Sequence, residues 1–229
     1  MPQSETTIAQ APSALAELSV REFLAALAAR TPAPGGGSMT ALVAALAAAQ
    51  LQMVIGYTRG KPRFVALEAI LTDYDTRLTR AGEVLRELMQ EDKAAYEALN
   101  PFMKIPVLQR HADAAYPAVV AAAIRIPQAV AATAANIIEA AEFLQDKVNR
   151  MLISDLGVAA TTAMAAVESA ELNVLVNLPL LENPPAAKAI ALSLIDLRKE
   201  SRRRYSLISE NLLKQLSTSF FAAAPVYSA

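Results

Sequence analysis

The stretch RTPAPGGGSMTALVAALAAAQLQMVIGYTRGK, from Arg30 to Lys61, largely decides the fold of this chain. It holds three consecutive glycines, Gly35 to Gly37, in a chain with only 7 glycines in all. An apolar run at helical spacing follows them and predicts an α-helix from Ser38 to about Tyr57. This helix is apolar nearly all the way round, which is typical of a helix at the centre of a bundle.

The glycine turn has two interpretations. Glycine adopts backbone angles that other residues avoid, and Ser38 is a good helix N-cap, so the turn could be purely structural. The start of a helix also presents free N–H groups, which a polar or anionic ligand could reach where no side chains intervene. The spacing is not that of a Walker P-loop, and no predicted strand precedes the turn as a dinucleotide fingerprint requires.

Composition narrows the class of protein. Hydrophobic residues make up 54% of the chain and aromatic residues only 5%, so the core must consist of small aliphatic side chains. The net charge is −1 and no long basic tract occurs, so we expect neither a nucleic-acid partner nor a membrane partner. With no cysteine and a single histidine, His111, we expect no metal site and no permanently bound cofactor.

The N-terminus lacks the pattern of a signal peptide, so a cytoplasmic protein is expected. The most apolar window, from Met39 to Ile55, contains Gln50 and Gln52 and falls short of the ~20 apolar residues of a membrane span. It is therefore interpreted as a helix buried inside a soluble bundle.

Helical periodicity continues through the chain, and no run alternates as a strand does. The prediction is an all-α, single-domain helical bundle over residues 18–217, with loosely held tails at 1–17 and 218–229. Helices are expected at about 20–29, 38–57, 62–99, 112–148, 154–178 and 186–216, with a kink or break at Pro127.

Asp92 stands where the helical stripe of Leu85, Leu88 and Met89 calls for an apolar residue, with Tyr96 one turn later. A carboxylate is therefore expected to point into the bundle. Burial of an unpaired carboxylate is costly, so Asp92 is either a paired structural acid or a group whose raised pKa suits proton transfer.

Two further motifs place polar groups on apolar helices. Asn173 and Asn177, in NVLVN, share one helix face and could either bridge helices or bind a heterocycle with donors and acceptors. In SDLGVA, Ser154 or Asp155 is expected to cap a helix, and Gly157 indicates a close backbone contact.

These residues resemble a known family. TPAPGGGSMTALVAAL, TRGKPRF, EDKAAY, NRMLISDLGVA and NVLVN occur in the order and spacing of the cyclodeaminase/cyclohydrolase family, which includes formimidoyltetrahydrofolate cyclodeaminase domains and methenyltetrahydrofolate cyclohydrolases. The resemblance extends from about Leu18 to about Leu213. It implies an all-helical homodimer that binds a tetrahydrofolate derivative as its substrate, near the glycine turn. A dimer also suits the high apolar content.

The resemblance also implies roles for individual residues in hydrolysis of a methenyl group or cyclising deamination of a formimino group. The expected acid–base set is Asp92 and Asp155, with Lys61 tuning Asp92 or holding the folate carboxylates. The residues expected to bind substrate are Gly35, Gly36, Gly37, Ser38, Tyr96, Asn149, Ser154, Asn173 and Asn177.

One departure from the family pattern concerns the segment before Ser154. The family usually has Gly-Asn-x-Asn there, whereas this chain has Val148, Asn149, Arg150 and Met151. Met151 is expected to narrow or dry the pocket. Two alternatives therefore remain open: the same scaffold acting on a specialised metabolite other than folate, and a non-catalytic dimeric helical protein.

Overall fold

The computed structural model describes residues 14–223, with side chains described through residue 217. Within this part of the chain there are no strands, as the sequence predicted. The α-helices are α1 (Val20–Ala28), α2 (Gly36–Gly56), α3 (Glu68–Phe102), α4 (Val107–His111), α5 (Tyr116–Leu144), α6 (Ile153–Leu175) and α7 (Pro184–Ala223). Short 3-10 turns at Leu15–Glu17, Pro62–Leu67, Arg150–Leu152 and Leu178–Leu180 join them.

Five long helices, α2, α3, α5, α6 and α7, form the bundle. Helix α2 packs beside α3 and α6 and reaches α5 across the centre, while α7 lies along α5 and α6. The core is built from small side chains, because Ala41, Ala44, Ala47 and Ala48 of α2 are fully buried and let the neighbouring helices approach closely. The outer side of α2 stays uncovered in the single chain, where Leu46 is 56% exposed.

Several predicted boundaries need correction. The third helix was expected to begin at Pro62, but residues Pro62–Leu67 form a 3-10 turn. It was also expected to end near Leu99, but α3 continues through Pro101 to Phe102. The fifth helix is uninterrupted at Pro127. The tail predicted for residues 1–17 is wrong at its end, because Leu15 is buried and its N–H donates to Gln90 Oε1 at 3.2 Å.

The predicted C-terminal tail is likewise corrected, because α7 continues past residue 217 to Ala223. Residues 1–13 and 224–229 lie outside the described part of the chain.

Ion pairs of two arginines connect α7 to α5 and α6. Arg204 pairs with Glu142 of α5 at 2.6 Å, and Arg198 pairs with Glu171 of α6 at 2.7 Å.

Three segments are long and apolar enough to cross a membrane by length and composition alone, namely Gly36–Gly56, Tyr116–Leu144 and Arg150–Leu180. The expectation that the α2 window is too short for a span was therefore wrong. Inside the bundle, 39% to 44% of each window is buried.

Candidate active site

The N-terminus of α2 forms one wall of a cavity of about 450 Å³ between α2, α3, α5 and α6. Seven of the predicted site residues line it: Gly35, Gly36, Gly37, Asp92, Tyr96, Asn173 and Asn177. The remaining walls are mainly apolar: Pro32, Ala33, Ala95, Leu99, Met103, Ala123, Pro127, Val176 and Leu180. The fold therefore gathers residues from three sequence motifs into one site.

Asp92 of α3 faces the start of α2. Its Oδ2 accepts a hydrogen bond from Ser38 Oγ at 2.9 Å, and the carboxylate also accepts one from the Ser38 backbone N–H. The prediction that Ser38 caps α2 was wrong. The capping position is Gly35, which has no side chain to accept a bond. A carboxylate on α3 supplies the acceptor that the helix start needs.

Burial raises the pKa of Asp92 above its ordinary value, and the hydrogen bonds from Ser38 oppose that rise only in part. The protonated form of this carboxyl group is therefore more favoured than that of an exposed aspartate. A raised pKa shifts proton uptake and release towards the range in which a general acid–base catalyst works.

The glycines make room for this carboxylate. A Cβ at Gly37 would overlap the carboxylate of Asp92, whereas a Cβ at Gly35 would meet nothing within 4 Å. At Gly36 a Cβ would lie 3.3 Å from Asn173 Oδ1. The two interpretations of the glycine turn therefore combine, because the turn is tight and it also opens onto the cavity.

Both asparagines bridge helices and also line the cavity. Asn173 Nδ2 donates to Thr40 Oγ1 of α2 at 3.2 Å. Asn177 Nδ2 donates to Ala123 O of α5 and to Asn173 O, both at 3.0 Å. The bridging of helices that the sequence allowed is therefore observed, and the binding of a heterocycle stays a prediction.

Ser38 lies at the start of α2 beside Asp92, whereas the other four predicted residues, Asp155, Lys61, Asn149 and Ser154, lie towards the far end of α2. Asp155 Oδ1 accepts a hydrogen bond from Gln50 Nε2 at 2.8 Å. From Gly36 to Gln50 the helix rises about 21 Å, so Asp155 cannot reach a small ligand held beside Asp92 of the same chain. Within one chain, Asp92 and Asp155 therefore do not share the single site that the sequence predicted.

With Asp155 we group Asn149 and Ser154, which are close to it in sequence, and Lys61, which follows the end of α2. We call these four residues the distal cluster. The N–H of Asn149 donates to Thr58 Oγ1 at 3.0 Å, which fixes the segment before α6 against the end of α2. Ser154 and Lys61 are exposed. Neither Ser154 nor Asp155 caps α6, because the helix begins at Ile153 and its capping position is Leu152.

Met151 was expected to narrow the pocket, but it is 86% exposed and does not line the cavity of its own chain.

The close contact expected at Gly157 is confirmed. A Cβ there would lie 2.8 Å from Leu212 Cδ1 of α7.

Sequence reasoning missed Thr40 and Gln50, the partners of Asn173 and Asp155. The available signal was a hydroxyl or amide side chain inside an otherwise apolar helix, where an unpaired polar group is costly. Among the described residues, no group of three or more histidine and acidic side chains is placed to hold a metal ion.

Comparisons with known proteins find related sequences. The formiminotransferase-cyclodeaminase family model matches residues 19–194. A methenyltetrahydrofolate cyclohydrolase from Methylorubrum extorquens is 32% identical over 163 residues, which cover 69% of this chain and 78% of the relative. A formimidoyltransferase-cyclodeaminase from Rattus norvegicus is also 32% identical, over 72% of this chain but only 31% of the rat protein.

The structure also resembles a solved one. The formiminotetrahydrofolate cyclodeaminase of Thermotoga maritima superposes with a TM-score of 0.75 over 90% of this chain and 99% of that protein. The identity is 23%, so the likeness supports the all-α fold and no finer statement.

Proposed function

The chain belongs to the formiminotransferase-cyclodeaminase family, and we propose that it converts a one-carbon derivative of tetrahydrofolate by acid–base catalysis. The reaction is the hydrolysis of 5,10-methenyltetrahydrofolate or the cyclising deamination of 5-formiminotetrahydrofolate. The observation that carries the proposal is Asp92, a carboxyl group with a raised pKa that lines a cavity together with Asn173 and Asn177.

In the hydrolytic direction, Asp92 accepts a proton from a water molecule as the water oxygen bonds to the methenyl carbon. The bond from that carbon to N5 then breaks, and N5 takes a proton. The product is 10-formyltetrahydrofolate, with net release of one proton. The carboxylate also stabilises the amidinium cation of the substrate before the attack.

In the deaminating direction, N10 bonds to the formimino carbon and its proton passes to the imino nitrogen, which becomes an amine. The carbon–nitrogen bond to that amine then breaks. Asp92 in its acid form donates a proton to that amine, which leaves as ammonia. Both directions use the same carboxyl group and balance without a redox step, so we propose that no metal and no permanent cofactor takes part.

Relatives named for both reactions match this chain, a methenyltetrahydrofolate cyclohydrolase and a formimidoyltransferase-cyclodeaminase, so the two substrates are assayed side by side to decide between the reactions. A non-catalytic role is disfavoured because Asp92 and Asn173 share one cavity instead of separate helix interfaces.

We also propose that the protein works as a homodimer. The outer sides of α2 and α6 lie next to each other and carry an uncharged stripe. On α2 the stripe is Met39, Val43, Leu46, Gln50 and Met53. On α6 it is Val158, Thr162, Ala165, Ser169 and Leu172, and Val176 directly after the helix continues it. Leu172 and Val176 are 68% and 71% exposed, which is unusual for adjacent apolar residues on a surface without a partner.

A two-fold axis across the middle of this stripe would reverse the helix direction in the second copy. The cavity at the start of α2 would then face the distal cluster of the partner. Such pairing gives Asp155, Lys61, Asn149 and Ser154 a place at the substrate that they lack within one chain. We therefore assign them as residues contributed in trans.

The cytoplasm is the compartment we propose, because the apolar α2, α5 and α6 share a bundle with α3, whose outer side carries exposed charges such as Glu83, Arg86 and Glu87 at mid-length. Those charges would be costly in lipid.

The proposed enzymatic function is tested by following absorbance with 5,10-methenyl- and 5-formiminotetrahydrofolate side by side. Turnover of neither substrate would refute it.

A further inference from the structure

Thr40 lies one turn into α2, is 1% exposed and joins the two walls of the cavity. Its hydroxyl is 2.6 Å from the carbonyl oxygen of Gly36. A carbonyl oxygen can only accept, so the single hydroxyl proton of Thr40 is used there. The lone pairs of Thr40 Oγ1 remain, and they can only accept.

This leaves one orientation for the side-chain amide of Asn173. Its nitrogen must face Thr40 Oγ1, 3.2 Å away, because an amide oxygen in that place would oppose a second acceptor. The amide oxygen is consequently turned the other way, towards Gly36. It is the atom that a Cβ at Gly36 would meet first, at 3.3 Å.

The amide of Asn177 is fixed by the same logic. Its nitrogen contacts two carbonyl oxygens, Ala123 O and Asn173 O, each at 3.0 Å. Both acceptors require a donor, so both N–H bonds of Asn177 are used inside the protein. Its carbonyl oxygen is left as the group available to a ligand.

We propose that Thr40 is a positioning residue. By fixing the orientation of the Asn173 amide, it makes the cavity prefer ligands that present N–H donors. Asn173 and Asn177 both line the cavity, and the amide oxygen of each is the group left to accept a hydrogen bond from a ligand. The proposal rests on the proposed function and names the recognised group as the amino-lactam edge of a pterin. That edge carries an exocyclic NH₂ and a ring N–H.

A ligand without these donors leaves buried acceptors unpaired, which is costly and gives strong discrimination. The probes are pterin itself, which keeps both donors, and 1,3-dimethyllumazine, in which carbonyl and N-methyl groups replace them. Both fluoresce, so binding to the intact protein can be titrated directly. The parent protein is expected to bind pterin at least tenfold more tightly than 1,3-dimethyllumazine.

Thr40→Val keeps the shape and removes the hydroxyl, so the amide of Asn173 can turn over, and the preference should fall to about threefold or less. Thr40→Ser restores the hydroxyl and should restore the preference. Circular dichroism and the thermal midpoint check that all three proteins are folded. Equal affinity for the probes in the parent, no binding of pterin, or an unchanged preference in Thr40→Val overturns the proposal.

The folate assays keep this inference separate from the proposed function. Suppose that the parent turns over neither folate substrate but prefers pterin to 1,3-dimethyllumazine, and that this preference depends on Thr40. The proposed function is then refuted, whereas the role of Thr40 in ligand preference is supported. If a folate substrate is turned over but the parent does not prefer pterin, the role of Thr40 in ligand preference is refuted and the proposed function is supported.

Discussion

Asp92 accepts hydrogen bonds from Ser38 and faces the cavity, so its side chain affects both the start of α2 and the chemistry. Asp92→Asn keeps an oxygen for Ser38 and removes proton transfer. We expect turnover to fall by about 10²–10⁴-fold, with helicity unchanged in circular dichroism. Near-parental turnover would refute the assignment, and loss of folding would make Asp92 a structural residue.

The raised pKa of Asp92 also predicts two pH effects of known sign. Activity that needs the carboxylate falls as pH drops through the raised pKa, so the acid limb lies above the ordinary aspartate value of 3.8. The folded protein binds this proton more tightly than the unfolded chain does. The free energy of unfolding therefore decreases as pH rises from that value through the raised pKa.

Chemical denaturation of the parent and of Asp92→Asn across this pH range isolates the effect. The stability of the parent relative to the variant is expected to decline with rising pH in that window and to level off above it. A difference that grows with rising pH would show that the pKa of Asp92 is lowered.

Gly37 provides a third test at single-residue scale, because a methyl group there would overlap the Asp92 carboxylate. Gly37→Ala should destabilise the protein by about 1–3 kcal/mol and reduce turnover. Gly35→Ala is the matched control, since its Cβ meets nothing and its backbone is extended, with φ −128°. Equal effects of the two variants on melting and rate would contradict this account of the glycine turn.

At the scale of helices, periodicity predicted the elements because it reflects local geometry. The stripe of α3, including Leu71, Leu78 and Leu85, is buried as expected. Contacts between elements were harder to predict. The sequence suggested caps by Ser38 and Asp155, which depend on nearby residues. The structure pairs Ser38 with Asp92 and Asp155 with Gln50, and both contacts join residues distant in sequence.

The contact of α6 with α7 depends on the absence of a side chain at Gly157. Gly157→Val forces the new methyl groups towards Leu212 of α7. Gly82→Val on α3 carries the same intrinsic helix cost but meets nothing at the Cβ position, so it serves as the control. Urea unfolding should show Gly157→Val to be less stable than Gly82→Val by about 1–3 kcal/mol. Equal losses would mean that α7 adjusts freely.

For the whole molecule, the uncharged stripe on α2 and α6 predicts a dimer. Leu172→Glu places a charge in the stripe, whereas Leu24→Glu places one on α1, where the leucine is 58% exposed. Sedimentation at micromolar concentration should show a dimer for the parent and for Leu24→Glu, and a monomer for Leu172→Glu. A monomeric parent would refute the dimer, and an unaffected Leu172→Glu would place the interface elsewhere.

Sharing of the site between subunits can be tested with differently tagged, co-expressed chains purified as heterodimers. When Asp92→Asn is paired with Asp155→Asn, one of the two sites combines an intact Asp92 with an intact Asp155 of the other subunit. About half of the parental activity per dimer should return. If each site used its own chain only, both sites would be defective and no activity would return.

The reciprocal heterodimer pairs the parent chain with a chain that carries both substitutions. Here each shared site has lost one carboxylate, so the shared arrangement predicts a nearly inactive dimer, whereas sites confined to one chain would keep half of the activity. The two heterodimers thus give opposite results under the two arrangements, although they contain the same number of intact aspartates. An active reciprocal heterodimer together with an inactive first one would show that each site uses both aspartates of its own chain, and would refute the shared site. Half of the parental activity in both heterodimers would place Asp155 outside the chemistry at Asp92, and the rise of about 21 Å along α2 would then separate a catalytic residue from a structural one.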